Sequence, residues 1–221
     1  MKTLKIISLL LLLIGLLYCR NDDNGKEPET VEEPFDITDY VLVALAKDDN
    51  QLSTFILTFE KEAQGKSIEY HTFAPIEGYN YNYTFVDGIV KIYSAGYVVR
   101  EFKIQNKTIV SFNNADQLNY KLALVKISNT NQLNGNTYVG SWRVPGTNTQ
   151  YAVNLRFSGT HYSESYPNPI DPNHEYKIIK NIAAYSIEAN KRSLWILVDG
   201  KLEGYRDLFP LTQQIGTFQK Q

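Results

Sequence analysis

Two of the three histidines, His161 and His174, flank a proline-rich stretch, Tyr166-Pro167-Asn168-Pro169-Ile170-Asp171-Pro172-Asn173-His174. Asp171 and His174 stand three apart, and with His161 they are the imidazole and carboxylate groups from which an open N/O site or a hydrolytic acid–base pair is built. The spacing matches no recognised metal motif, so no metal is assigned. Fixed φ angles at the prolines set the shape of this connection, and long connections of this kind often carry function. A second constellation is Tyr79-Asn80-Tyr81-Asn82-Tyr83-Thr84-Phe85. On a strand its period of two places Tyr79, Tyr81, Tyr83 and Phe85 on one side, with Asn80, Asn82 and Thr84 on the other. Exposed, the row stacks on sugar faces; turned inward, it is core with its hydroxyls at the rim. There is no Gly-x-Ser-x-Gly and no glycine-rich phosphate loop, so nothing compels a catalytic assignment or a cofactor.

The elements that must position these residues read as β-structure. The chain carries 16 Tyr and 10 Phe, with Thr, Val and Ile throughout, and these residues suit a pleated, half-buried surface. Runs of four to nine of them alternate with turn clusters, which predicts an all-β fold of antiparallel meander sheets, a barrel or a sandwich. Expected strands are 40–46, 54–60, 67–73, 79–86, 89–93, 97–104, 108–112 and 120–127. Beyond a polar stretch at 128–136 come 138–144, 151–157, 176–188, 194–198 and 201–208. Asp87-Gly88 and Asp199-Gly200 mark two tight hairpins, because both central positions of a type I′ turn need positive φ. A slide of 98 residues aligns Tyr40-Val41 with Tyr138-Val139, Leu57 with Leu155 and Phe59 with Phe157. Two β units, 37–127 and 128–221, are expected, each a domain of its own or both parts of one fold; the matches read either as a duplication or as the recurring strand spacing of any all-β chain.

Charge narrows the partners. Lys and Arg number 22 against 24 Asp and Glu, a formal net charge of −2, which leaves no basic excess for nucleic acid. One cysteine excludes an internal disulfide framework. The acidity is concentrated in residues 20–36, where seven carboxylates and two prolines meet almost no apolar side chains. That stretch, with Cys19, is expected to be a disordered tether, 19–36. Residues 1–18 begin with Met1-Lys2-Thr3-Leu4-Lys5 and continue in the apolar run 6–18. At 1.5 Å per residue the run reaches only about 20 Å, short of a bilayer core, so it reads as a signal peptide.

Leu16-Leu17-Tyr18-Cys19 closes the run and resembles the lipobox of bacterial lipoproteins, with Leu16 at the apolar position and Tyr18 where a small residue is usual. The resemblance implies cleavage before Cys19, a diacylglycerol on its sulfur, an acylated N-terminus and anchorage in the cell envelope, at the outer membrane of a Gram-negative cell. Further on, Tyr138-Val139-Gly140-Ser141-Trp142, Asn154-Leu155-Arg156-Phe157 and Gly159-Thr160-His161-Tyr162 resemble the lipocalin-like domains of bacterial lipoproteins. That likeness implies a barrel whose floor is closed by Trp142 and whose mouth takes an apolar or amphipathic ligand; ordinary core packing is the other reading of Trp142. Only 84 residues run from 138 to the end, so a full eight-stranded barrel is expected to borrow strands from the first unit, or else the second unit is an open sheet. The combined reading is a lipid-anchored all-β ligand-binding or interaction module, its partners the membrane and an apolar small molecule or glycan. The alternatives are an envelope hydrolase of glycan or peptide using His161, Asp171 or His174, and a purely structural envelope lipoprotein.

Overall fold

The computed structural model describes residues 35–46, 54–61, 65–71, 78–114, 120–209 and 212–221. The signal peptide, Cys19 and the tether as far as residue 34 lie outside these. The folded body begins at Phe35, inside the stretch assigned to the tether. Asp36 caps a 3-10 turn, Ile37–Asp39, by accepting a hydrogen bond from the Thr38 amide at 2.9 Å.

Seventeen strands follow: β1 Tyr40–Ala46, β2 Phe55–Glu60, β3 Lys66–His71, β4 Tyr79–Val86, β5 Ile89–Ser94, β6 Tyr97–Gln105, β7 Thr108–Asn114, β8 Tyr120–Lys126, β9 Thr137–Arg143, β10 Gln150–Ser158, β11 His161–Ser165, β12 His174–Glu175, β13 Lys177–Ile179, β14 Ala183–Ile187, β15 Lys191–Val198, β16 Lys201–Leu208 and β17 Thr212–Lys220. They form two antiparallel sheets, and the fold is all-β as expected. In the first sheet, β1 to β7 pair in sequence and β8 returns to β1. Its edges, β7 and β8, meet through the Phe112 and Tyr120 rings at 5.8 Å. The second sheet repeats the plan. Its fourth strand is split at Tyr176 into β12, paired with β11, and β13, paired with β14, and β17 returns to β9. Two barrel-like meanders result.

The second barrel-like sheet therefore completes itself within 137–221 and borrows nothing from the first. Three strands outside the expected set, β11, β12 and β17, make up the number. The expected strand 176–188 is two strands, because Lys180 and Asn181 adopt φ of 47° and 63° and turn the chain without a glycine. Asp87-Gly88, Ala95-Gly96, Asn106-Lys107 and Asp199-Gly200 show the same paired positive φ, whose twist suits tight antiparallel hairpins.

Alternation fills each interior. Leu42, Phe55, Leu57, Phe59, Ile92 and Phe102 are buried in the first, and Tyr138, Trp142, Leu155, Phe157, Trp195 and Phe218 in the second. Each buried side chain of this size contributes about 1.5–3 kcal/mol relative to exposure. Of the pairs matched by the 98-residue slide, Leu57 and Leu155, and Phe59 and Phe157, are buried at equivalent places on the second strand of each sheet. One end of each barrel is stoppered by the segment that precedes it. Ile37 enters the first core, and Leu133, from the polar stretch 128–136, enters the second. The outer faces meet in a third core, where Val41, Val43, Leu45 and Ile56 pack with Leu194, Ile196, Val198 and Tyr205.

Candidate functional site

Strands β2, β3, β4 and β6 bring a polar and aromatic group to the end of the first barrel away from its stopper. Glu69 and Arg100 form a two-pronged ion pair, Nη2 donating to Oε1 at 3.1 Å and Nη1 to Oε2, with side chains only 4% and 13% exposed. The carboxylate matches the buried guanidinium's charge and both its Nη groups, while Nε has no hydrogen-bond partner among the described residues. Its carbon stands 4.3 Å above the Phe55 ring. Around the pair lie the rings of the tyrosine row. Tyr79 stacks on His71, with centroids 5.2 Å apart and planes at 17°, and Tyr81 follows at 6.4 Å from Tyr79. Tyr79 keeps 40% of its surface exposed. Burial, reinforced by the positive charge of Arg100, holds the His71 imidazole below its ordinary pKa, so it is neutral at pH 7.

The second barrel has an equivalent centre. Glu164, on the third strand as Glu69 is, accepts from Arg206 and, at 2.7 Å, from the Trp142 indole N–H. The guanidinium again lies 4.3 Å over an aromatic ring, that of Trp142. Lys191 links this centre to Glu188, with Nζ at 3.7 Å from Glu164 and 3.1 Å from Glu188. Glu188 also accepts from the Tyr162 hydroxyl at 2.7 Å and faces His174 Nδ1 at 3.4 Å. Burial favours the neutral acid at Glu188, but donation from Tyr162 and Lys191 outweighs it and keeps the carboxyl below its ordinary pKa. Burial likewise pushes the Tyr162 hydroxyl well above the usual phenol range. The barrel around this centre is full: Trp142, Trp195, Tyr162, Phe157 and Phe218 are all completely buried.

Trp142 and His174 thus belong to one network, joined through Glu164, Lys191 and Glu188. Trp142 lies on the side of that network; the stoppered end is closed instead by Leu133 and by Tyr138, whose hydroxyl donates to the Gln132 carbonyl. His161 and Asp171 stand elsewhere. His161 contacts the Thr160 hydroxyl, and Asp171 pairs with Arg156 at 3.2 Å in solvent. The proline-rich connection is strapped to β10 and β11 by Asn154 donating to the Pro167 carbonyl and Ser163 to that of Ile170. His161, Asp171 and His174 are therefore not gathered around one point, and among the described residues no cluster of three or more His, Cys, Asp or Glu could hold a metal ion. Tyr83 is deeper than Tyr79, edge-on to Phe59 at 5.0 Å, with its hydroxyl donating to the Glu60 carbonyl. The whole row faces inward, with Tyr79 at its rim.

Sequence reasoning missed Glu69, His71 and Arg100, and likewise Glu164, Arg206 and Lys191. A signal exists for the first set: Arg100 has the parity of Phe102 and Ile104, two buried apolar residues on the same strand. A charge on a core face needs a partner. These features define a class by architecture, two antiparallel barrel-like meanders each holding a carboxylate–arginine pair stacked on an aromatic ring. No family model, no curated protein and no solved structure matches the chain.

Proposed function

We propose that the chain is a lipid-anchored envelope protein whose β-barrels form a ligand-binding module, and that the Tyr79 end of the first barrel takes the flat face of a sugar ring. The observation that carries the ligand reading is the Tyr79 ring, backed by His71 and exposed beside the matched Glu69–Arg100 pair. A fixed, partly exposed aromatic face loses little entropy on binding, and its neighbouring polar groups offer hydrogen bonds to ring hydroxyls. An apolar guest inside the second barrel is disfavoured by the side chains that already fill it. Anchorage rests on Leu16-Leu17-Tyr18-Cys19 behind the apolar run.

Two measurements test the proposal. A thermal-shift screen of the full-length protein against neutral oligosaccharides should find ligands that raise the melting temperature, since a ligand that binds only the folded state stabilises it. Tyr79→Ala should abolish that rise while leaving the unliganded melt nearly unchanged. If it does not, the site is elsewhere. Mass spectrometry of the N-terminal peptide should show Cys19 carrying lipid, and an unmodified Cys19 or cleavage elsewhere would remove the anchor.

A further inference from the structure

The support behind the Tyr79 ring is itself a titratable group. His71 is the last residue of β3 and Tyr79 the first of β4, so their stack stands at the rim where the two strands meet the barrel's end. The rings are nearly parallel, with planes at 17° and centroids 5.2 Å apart. Three other strands surround the imidazole. On β2, Phe55 is registered opposite it and carries no charge. On β4 stand Tyr79 itself and Tyr81, the next phenol along the row. On β6 is Arg100, whose guanidinium lies over that same Phe55 ring. On its own strand, Glu69 has both carboxylate oxygens engaged by Arg100.

Each neighbour acts on the His71 proton in a definite sense. The π face of Tyr79 favours an imidazolium. Burial opposes it most, the Arg100 charge adds to that, and together they hold the ring below its ordinary value of 6.5. The stack is therefore built with the neutral ring. A sugar on the open side of Tyr79 removes water from the same rim. His71 then loses hydration that an imidazolium needs, so protonation costs more with the ligand in place than without it. Linkage makes the effect reciprocal: a ligand that disfavours the proton is disfavoured by it to the same degree.

We infer that the Tyr79 end is an acid-released site, in which a proton on His71 and a neutral sugar exclude one another across the Tyr79 ring. The inference rests on the sugar reading of that end and adds its regulation. Well above the ordinary imidazole value the ring is neutral and the site competent. As pH falls through the His71 midpoint of the folded protein, affinity declines, by at most about tenfold per pH unit for a single proton.

The test is calorimetric titration of the full-length protein with neutral trimers of glucose, galactose and mannose, which bring no titrating group of their own. Ring-proton NMR of the unliganded protein locates the His71 midpoint. A trimer that binds at about pH 7.5 should bind about threefold or more weakly at about one pH unit below that midpoint. Adding the trimer should move the His71 midpoint to lower pH and leave the His161 and His174 titrations, both in the second barrel, where they were. In His71→Phe, whose ring cannot be protonated, the acid loss should vanish, and the NMR shift decides by itself if that variant binds no trimer. Equal affinity of the parent at the two pH values, a His71 midpoint unmoved or raised by the trimer, or the same acid loss in His71→Phe would overturn the inference and leave the sugar reading standing. If no trimer binds at either pH, the sugar reading of the Tyr79 end falls, and its regulation with it.

Discussion

The side chains that most constrain this molecule are charged ones placed where apolar residues are usual. Arg100 and Arg206 each point into a barrel, stack on an aromatic ring and are met by a glutamate on the third strand of their sheet. Removing one partner strands the other in a low-dielectric interior. Glu164→Ala should therefore cost about 3–5 kcal/mol, read by chemical unfolding, and more than Glu164→Gln, which keeps an acceptor for the Trp142 indole. The tyrosine row divides by depth. Tyr81 packs on the first core beside Arg100, so Tyr81→Ala should lower stability by roughly 2 kcal/mol, less than a fully buried aromatic. An unchanged unfolding midpoint would return Tyr81 to the ligand surface with Tyr79.

At the scale of elements, the strands legible in the sequence are those rich in apolar or aromatic residues on either face; β3, whose inward row is Ser67, Glu69 and His71, is marked by Ile68 and Tyr70 on its other face. Tyr40–Ala46, Tyr79–Val86 and Lys201–Leu208 have the expected bounds, and most others differ by one to three residues. The missed strands have polar or glycine-bearing inward rows. On β11 the row is Tyr162 and Glu164, and on β17 it is Gln214, Gly216 and Phe218. Gly216 lacks a side chain because a Cβ there would lie 2.6 Å from the Phe218 ring, and Gly204 because one would lie 2.7 Å from that of Trp142. Two large rings have displaced the hydrophobic signal from neighbouring strands. The β3–β4 pairing also carries a pH dependence. The folded state binds a proton on His71 less readily than the unfolded chain. As pH falls below the unfolded value of about 6.5, the unfolded state gains the proton first and stability declines until the folded pKa is passed. His71→Gln should flatten the melting temperature in that window. Parallel slopes for the variant and the parent would show that His71 contributes nothing to it.

At the scale of the molecule, the outer faces share a core, with Val41, Val43 and Ile56 of one barrel against Leu194 and Ile196 of the other. Neither barrel can leave without exposing that face, so thermal unfolding should show one transition by both tryptophan fluorescence and circular dichroism. Trp142 and Trp195 both report on the second barrel. A fluorescence midpoint separated from the circular dichroism midpoint would mean that the barrels melt apart. The body begins at Phe35, whose ring lies 5.0 Å from that of Tyr40 and 5.6 Å from that of Phe85. A chain starting at Phe35 should therefore melt with one starting at Arg20, and a large drop would show that residues 20–34 pack on the body.

The sequence by itself determined the all-β class, the seam between two β units at 128–136 and the sharing of one strand side by Tyr79, Tyr81 and Tyr83. Those are local matters of residue type and a period of two, repeated along the chain. Only the tertiary structure decided that each unit curls nearly closed on its own strands, that 128–136 is a stopper rather than a spacer, and that His161 and Asp171 stand apart from His174. It also decided which charges meet inside the barrels and that their outer faces share a core. Each of these depends on pairings between residues distant in the chain: Glu164 with Arg206, β17 with β9, the Val41 face with the Ile196 face. Whether two such residues meet is fixed by strand order and register, which a period of two leaves open.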